Sequence, residues 1–255
     1  MSRRMYEKFK IHWNFMAAAC NDHDKARQML TQNPELLEAP VNTLGESPLA
    51  YLALENKIEA VNFLISIGAN TSTLDDFDQS PLVGATAFRR YDLMQSLLKS
   101  GANPNAQDSI NKRSCLSIAI YSDDTKFAQL LLDYNADPNA FHEDMEEYPL
   151  ARAVICNNLI MAKFLLKNSA NPNQPIGQST GQTFLAQAIE NDNLEMTKLL
   201  IEAGADINTP IHKHDNTLPL DCAIKNCNIK IAKNLITLGA KANVTNDSPL
   251  MQDLR

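Results

Sequence analysis

The sequence predicts an all-α protein built from short helix pairs that repeat along the chain. Three observations support this fold class: a repeat without gaps, helical spacing of apolar residues within it, and a characteristic residue type where each repeat closes. Six segments align, and in each a leucine is followed twenty residues later by an alanine, while the leucine-to-leucine period varies from 33 to 35 residues. A body of constant length joined by connectors of variable length is typical of stacked repeats.

The first helix of each predicted pair begins at a motif of the form Ser/Thr-Pro-Leu. A serine or threonine there caps the helix with its side-chain oxygen, and the proline that follows already has the helical φ. The six motifs begin at Ser47, Ser80, Ser114, Tyr148, Thr183 and Leu218. Small residues that let neighbouring helices approach closely recur three places after the leucine, at Ala85, Ala119, Ala153, Ala188 and Ala223.

The second helix of each pair is predicted from apolar residues at positions i, i+3 and i+4, as in Val61, Leu64 and Ile65. Four copies then close with a glycine, the residue best suited to a left-handed C-terminal cap, at Gly68, Gly101, Gly204 and Gly239. Asn135 and Ser169 take that place in the other two copies, where asparagine adopts the conformation more readily than serine. One pair cannot bury its own apolar face, so the pairs must stack.

These motifs resemble those of the ankyrin-repeat family, whose pattern is Thr-Pro-Leu-His-x-Ala, a helix pair, and then Gly-Ala-Asp-x-Asn. The closing motif occurs here as Gly101-Ala102-Asn103-Pro104-Asn105 and, with variations, in three further copies that begin at Asn135, Ser169 and Gly204. The resemblance implies an ankyrin-repeat solenoid of helix-turn-helix units joined by hairpin fingers. The sequence departs from the pattern because the histidine is absent throughout and Cys115, Phe184 and Leu218 replace expected residues.

The ends of the chain differ from the six full repeats. Residues 1–43 are predicted to be an N-terminal capping repeat, because Phe15, Ala18, Met29 and Leu30 have the helix-pair spacing but lack the Pro-Leu opening. Residues 44–243 then hold the six ankyrin repeats, which we expect to form one continuous solenoid. Residues 244–255 begin another Ser-Pro-Leu motif that stops early, so they form either a C-terminal cap or a truncated repeat, and Asp253 at a packing position favours the cap.

Composition limits the partners and the location of the protein. A net charge of −7 argues against sequence-independent binding of nucleic acid or of an anionic membrane. No apolar stretch approaches the ~20 residues of a membrane span. Five scattered cysteines do not suggest a disulfide framework, so we expect a reducing, cytoplasmic location, or a host-cell cytoplasm if the chain is a bacterial effector.

No catalytic motif is recognisable, and we expect no enzyme activity, cofactor or metal. The nearest metal-like cluster is His212 and His214 with Asp215, followed by Cys222 and Cys227, but its spacing fits no usual zinc site. An acidic run between residues 143 and 147 lacks the alternating ligands and glycine of an EF-hand. It is expected to be a solvated finger, with a patch for a basic partner as the alternative.

The resemblance implies that protein partners bind to the finger tips and to the exposed face of each first helix. Mapping those positions onto this sequence predicts nine partner-binding residues: Phe77, Phe88, Arg113, Tyr121, Phe141, Asp144, Met145, Glu147 and Ile155. Aromatic residues together with methionine and arginine are the usual composition of binding hot spots. The alternative is that long connectors fold back and bury Phe77 and Phe141 locally.

The predicted function is therefore a non-catalytic protein-protein interaction module, expected to be a monomer, whose partner the sequence does not identify. Two alternatives remain open at this point. The chain could be a regulatory or targeting domain of a larger enzyme or of a secreted bacterial effector. It could also be an assembly chaperone or inhibitor that masks a surface of its partner.

Overall fold

The computed structural model describes residues 3–108, 112–143, 145–177, 179, 181–214 and 216–243, with side chains from residue 9 onward. This part of the chain contains fourteen α-helices, one 3-10 helix (Pro34–Leu37) and no strand beyond isolated bridges. The chain forms two compact units, the first ending at Ala136 and the second beginning at Asp137. The predicted C-terminal segment, residues 244–255 with Ser248, Pro249 and Leu250, lies outside the described residues.

The first unit contains four helix pairs. Its N-terminal pair is the longest of the four, with a first helix of 19 residues. In the other three pairs the first helix has seven residues and the second has nine. The helices are α1 (Arg3–Asn21), α2 (His23–Gln32), α3 (Pro48–Leu54), α4 (Ile58–Ser66), α5 (Pro81–Ala87), α6 (Tyr91–Lys99), α7 (Cys115–Tyr121) and α8 (Thr125–Asp133).

The second unit contains three pairs with the same lengths of seven and nine residues. Within each unit, first helices pack beside first helices and second helices beside second helices. The helices are α9 (Pro149–Ile155), α10 (Leu159–Lys167), α11 (Phe184–Glu190), α12 (Leu194–Glu202), α13 (Pro219–Lys225) and α14 (Ile229–Thr237).

Side-chain caps are present at the four motifs that begin with serine or threonine, whereas Tyr148 provides none. Ser114 accepts a hydrogen bond from the backbone N–H of Ser117 at 3.1 Å, and Thr183 accepts one from Ala186 at 3.1 Å. Leu218 has no side-chain acceptor, and there Asp221 of α13 accepts the Leu218 N–H at 3.1 Å instead. A cap of this kind contributes about 1 kcal/mol to helix stability.

The left-handed residues predicted at the end of each second helix are also confirmed. Gly101 and Gly204 have φ of 88° and 95°, and no atom lies within 4 Å of where a Cβ would be. Asn135 and Ser169 adopt the same region, with φ of 65° and 68°. A side chain at Gly101 or Gly204 would therefore cost conformational strain rather than a clash with a neighbour.

The core is made by the apolar positions of both helices. One leucine of every second helix from α4 to α14 is completely buried: Leu64, Leu97, Leu131, Leu165, Leu200 and Leu235. Cys115 and Phe184, which stand where other copies have proline, are completely buried as well. Complete burial of one such apolar side chain contributes roughly 1.5–3 kcal/mol, so the repeated leucines account for much of the stability of each pair.

The connectors between pairs are short hairpins, here called fingers, and each runs from the left-handed residue of one pair to the N-cap of the next. Isolated antiparallel bridges close three of them, between Gln107 and Ser114, His142 and Glu147, and Pro175 and Thr183. The hairpin fingers that the resemblance implied are thus confirmed at these three positions. The bridges fix which finger residues face the helices and which face outward.

Asparagines of the closing motif join neighbouring fingers in the second unit. The Asn173 side chain donates to the Gly204 carbonyl at 3.0 Å and accepts the Asp206 N–H at 2.8 Å. Asn139 makes the equivalent pair of bonds to Ser169 and Asn171. Each asparagine therefore satisfies two backbone groups of the following repeat.

Candidate protein-interaction surface

Phe77 lies at the tip of the finger of residues 68–80 and is 55% exposed. Asp75 holds this tip, because its carboxylate accepts the backbone N–H groups of Phe77 and of Gln79, each at 2.9 Å. The Asp76 N–H donates to the Leu44 carbonyl at 2.9 Å, which ties the tip to the preceding finger. The alternative that this connector folds back and buries Phe77 is therefore wrong.

Phe88 is the most exposed of the predicted aromatic residues, at 63%, and follows directly after α5. The Arg90 guanidinium lies over its ring, 5.0 Å from the centroid. Arg90 is itself held by hydrogen bonds to the carbonyl oxygens of Ala53 and Leu54. Phe88 is thus an exposed ring whose cationic neighbour is anchored to the preceding helix pair, an arrangement that limits the side-chain entropy lost on binding.

The two other predicted residues of the first unit are less exposed. Arg113 forms an ion pair with the buried Asp108, with 3.1 Å between Nε and Oδ2, and the backbones of these residues are also hydrogen-bonded. Tyr121 is the last residue of α7 and is half-buried. Arg113 is therefore partly committed to its own finger, whereas Tyr121 keeps part of its ring at the surface.

In the second unit, Met145 and Ile155 are exposed, the first in the finger of residues 135–148 and the second at the end of α9. Phe141 is half-buried against Tyr148, with 4.9 Å between the ring centroids. The alternative that this connector folds back over Phe141 is thus met in part, and the predicted exposure of Phe141 is only partial. Asp144 lies outside the described residues.

The position of Glu147 differs from the expectation of a solvent-facing finger residue. Glu147 is only 8% exposed, because it pairs with His142 across the finger through backbone hydrogen bonds of 2.9 and 3.3 Å. Its neighbours Glu143 and Glu146 are exposed. The acidic run is therefore not a uniform patch, because the bridge turns one of its carboxylates inward.

The same finger contains a buried histidine that the sequence analysis did not single out. His142 is 2% exposed, and its Nδ1 accepts the Met145 N–H at 3.2 Å. Its Nε2 has no hydrogen-bond partner among the described residues. Because Nδ1 is an acceptor, the ring fixes the backbone that presents Met145 to solvent.

Three residues of the predicted metal-like cluster have different surroundings in the structure. His212 lies beside Glu190, with 3.7 Å between Nε2 and Oε1, whereas Cys222 is buried and Cys227 is exposed. Asp215 lies outside the described residues. Within the described ranges, no three side chains of histidine, cysteine, aspartate or glutamate converge as metal ligands would. Of the five cysteines, Cys115 and Cys222 are buried and the other three are exposed.

A cleft between α1 and α3 contains aromatic residues that the sequence analysis did not select. Trp13 and Tyr51 meet edge to face there, with 5.1 Å between ring centroids and 83° between planes. The cleft has a volume of about 470 Å³. Tyr51 directly follows the Pro-Leu-Ala opening of the first full repeat, and this motif is a signal from which its position could be predicted. Trp13 belongs to the capping repeat, which lacks the motif, so its position on the first helix could not be predicted in the same way.

A family model described as "Ankyrin repeats (3 copies)" matches residues 15–108, 82–176 and 173–246. Together with the helix pairs, left-handed caps and hairpin fingers described above, these matches define the class of the protein. The chain belongs to the ankyrin-repeat family of all-α solenoids. Ankyrin repeats are generally protein-protein interaction modules.

Two solved ankyrin structures are similar to this chain. The ankyrin repeat domain of Bcl-3, a member of the IkappaB protein family, aligns over 82% of this chain and 92% of its own, with 25% identity and a TM-score of 0.66. An ankyrin repeat domain from Acinetobacter baumannii AYE aligns over 76% of this chain and 99% of its own, with 25% identity and a TM-score of 0.62.

Two plant proteins are similar over part of the sequence. The putative E3 ubiquitin-protein ligase XBAT31 of Arabidopsis thaliana is 29% identical over 121 residues, which are 48% of this chain and 26% of that protein. The probable E3 ubiquitin-protein ligase XBOS32 of Oryza sativa subsp. japonica is 31% identical over 121 residues, 46% of this chain and 24% of that protein. The matched region thus spans about a quarter of each relative.

Of the helices in the described part of the chain, none combines the length and the apolar character needed to cross a membrane.

Proposed function

We propose that the chain is a non-catalytic interaction module that binds a protein partner through its finger tips and the exposed faces of its first helices. The observation that carries this proposal is Phe88, a large aromatic side chain 63% exposed beside the anchored Arg90. Aromatic residues and arginine are enriched at protein interfaces, and Phe88 and Arg90 present this pair at the surface. Phe77 extends the same exposed aromatic character to a finger tip of this unit.

In the second unit, Met145 and Ile155 contribute contacts of the same kind, with the half-buried Phe141 supporting the finger. Asp144 and the exposed Glu143 and Glu146 give this finger a negative charge that would steer a basic partner surface. Glu147 is too buried to take part directly, and Arg113 contributes through the outer part of a side chain that Asp108 already holds. The partner surface is therefore apolar at its centre and basic at its edge.

The proposal is tested by capturing a partner from cell lysate with the wild type and with a Phe88→Ala/Tyr121→Ala double variant. We expect the variant to lose the partner while keeping the circular dichroism of the wild type. Ile160→Ala is the matched control, because Ile160 is 77% exposed but lies on the second helix α10. Equal capture by the double variant and the wild type would contradict the proposal, as would loss of the partner with the control.

A second candidate function is that of a targeting domain in a longer protein, where the array recruits the molecule on which another domain acts. The observation in its favour is that two plant proteins named as E3 ubiquitin-protein ligases share an array of this kind over about a quarter of their length. An antibody against the array distinguishes the two functions in the native cell. A species of about 255 residues supports the stand-alone module, and a markedly longer one supports the targeting domain.

The small number and scattered positions of the five cysteines favour a reducing compartment such as the cytoplasm for either function.

A further inference from the structure

The cleft between α1 and α3 lies beside the two first helices at the N-terminal end of the first unit. Its walls are Trp13 and Met16 of α1 and Tyr51 and Leu52 of α3, with Glu55 at the end of α3. The volume of about 470 Å³ falls in the range of ~300–1,000 Å³ that is usual for ligand pockets. It is large enough for one apolar side chain together with the backbone on either side.

The walls have the composition of a binding hot spot. The rings of Trp13 and Tyr51 meet edge to face, and both residues are half-exposed. Tryptophan and tyrosine are the residues most enriched among interface anchors, because each presents a large rigid area at little entropic cost. The cleft is thus formed before any partner arrives.

The Trp13 indole also carries a polar group that lacks a partner. Its Nε1–H is buried and has no hydrogen-bond acceptor among the described residues. A buried donor left in this state costs roughly 1–3 kcal/mol. A small rotation of the ring in a complex would turn this donor toward a backbone carbonyl of a bound segment, and the cost would then be recovered as binding energy.

The cleft is lined by charges of opposite sign, because Glu55 acts on Tyr51 and Lys57 acts on Cys20. At the Tyr51 end, burial and the carboxylates of Glu55 and Glu46 raise the pKa of the Tyr51 hydroxyl, which reports a negative potential there. Glu55 is exposed and can contact a ligand, whereas Glu46 is buried and hydrogen-bonded to Asn42, so that it acts only through its field. At the Cys20 end the opposing charge is Lys57.

We propose that this cleft binds an extended segment of a partner protein in which one apolar side chain is flanked by a lysine or arginine. The apolar side chain lies between Trp13 and Tyr51, and the basic residue lies at the Glu55 end. Lys57 opposes the reverse orientation, because it would then face the positive charge of the segment. This inference rests on the proposed function, because it assigns one class of partner segment to an interaction module.

The sequence contains a single tryptophan, so fluorescence excited beyond the absorption of the six tyrosines reports on this cleft. Twelve-residue peptides are selected on the full chain from a random phage-displayed library. Each selected peptide is then synthesised and titrated while the Trp13 emission is followed. We expect the selected peptides to share an apolar residue next to a lysine or arginine, and to change the emission in a saturable manner.

Two variants test the roles of the walls and of the charge. Tyr51→Ala is expected to weaken peptide binding at least tenfold, after circular dichroism has shown that it is folded. Glu55→Lys, at an exposed position that folding does not require, is expected to weaken binding of basic peptides at least tenfold and to favour acidic ones. Ile160→Ala is the matched control, because Ile160 is exposed on α10 and does not line the cleft, and it is expected to bind within twofold of the wild type.

Several results would overturn the inference. These are the selection of no saturable binder, a consensus without a basic residue, or equal affinity in the Tyr51→Ala variant. Emission that changes with protein concentration alone would assign the cleft to a second copy of this chain instead. Peptides that lose affinity only in the Phe88→Ala/Tyr121→Ala variant would overturn the inference and leave the proposed function intact. Peptide binding in the cleft, together with equal partner capture by the wild type and the Phe88→Ala/Tyr121→Ala variant, would overturn the proposed function and leave this inference intact.

Discussion

The asparagine contacts between neighbouring fingers predict that single surface residues couple the repeats. Replacing Asn173 with alanine removes the bond to the Gly204 carbonyl (3.0 Å) and the bond from the Asp206 N–H (2.8 Å). Both bonds are exposed, so water can replace them, and each contributes roughly 0.5–1 kcal/mol. We therefore expect Asn173→Ala to lower the free energy of unfolding by about 1–2 kcal/mol.

Urea unfolding followed by circular dichroism measures this loss, and a denaturant slope of ~2–3 kcal/mol/M corresponds to a midpoint shift of about 0.5 M. Because coupling in repeat proteins acts between nearest neighbours, the Asp206 amide should also lose protection from hydrogen exchange. Asn171→Ala is the matched control, since among the described residues its side chain accepts the Asn173 N–H within the same finger and no bond from the next one. An unchanged midpoint together with unchanged Asp206 protection would refute the reasoning.

Three further predictions concern the folded core and its caps. Burial raises the pKa of the Cys115 thiol to about 12, so between pH 9 and 11 the unfolded chain loses a proton that the folded chain keeps, and the free energy of unfolding falls by ~1.4 kcal/mol per pH unit. In a Cys115→Ala variant the urea midpoint should therefore decline less steeply with pH. An equally steep decline in the variant and the wild type would contradict this prediction. His142→Ala removes a buried ring and leaves the Met145 N–H without its acceptor, so we expect the free energy of unfolding in urea to fall by ~2–3 kcal/mol. The control Glu143→Ala, at an exposed position, should leave it almost unchanged. Ser114→Ala removes the α7 cap and should lower the melting temperature by ~2–4 °C in calorimetry, a shift that Ser114→Asn should largely avoid.

The helix pairs could be predicted from the sequence because each requirement is local. The capping serine, the proline and the buried leucine stand at fixed places in the body, and the left-handed position accepts glycine, asparagine or serine, as at Ser169. The spacing of twenty residues between leucine and alanine is conserved within the chain because both residues are buried in every full repeat except the last, where Ala240 is half-buried. These local requirements for caps, buried leucines and left-handed residues therefore sufficed to predict the fold class.

The candidate surface was less predictable because side-chain direction in a finger depends on backbone pairing. Glu147 belongs to a run of acidic residues, yet it is buried where the bridge pairs it with His142. A glutamate and a histidine in a polar loop do not predict such a buried pair. The contact between Trp13 and Tyr51 joins residues 38 positions apart, one of them in a capping repeat without the opening motif. Tertiary contacts of this kind depend on how distant segments pack, which no local sequence pattern encodes.

The central claim is that exposed aromatic residues of the first-helix and finger surfaces bind a protein partner. The most direct test is the dissociation constant of the captured partner, purified and titrated by calorimetry against Phe88→Ala and against Ile160→Ala. Loss of a true anchor costs ~2 kcal/mol or more, so the account predicts an affinity at least tenfold weaker for Phe88→Ala and unchanged for Ile160→Ala. Equal affinities for the two variants, with both folded, would contradict it.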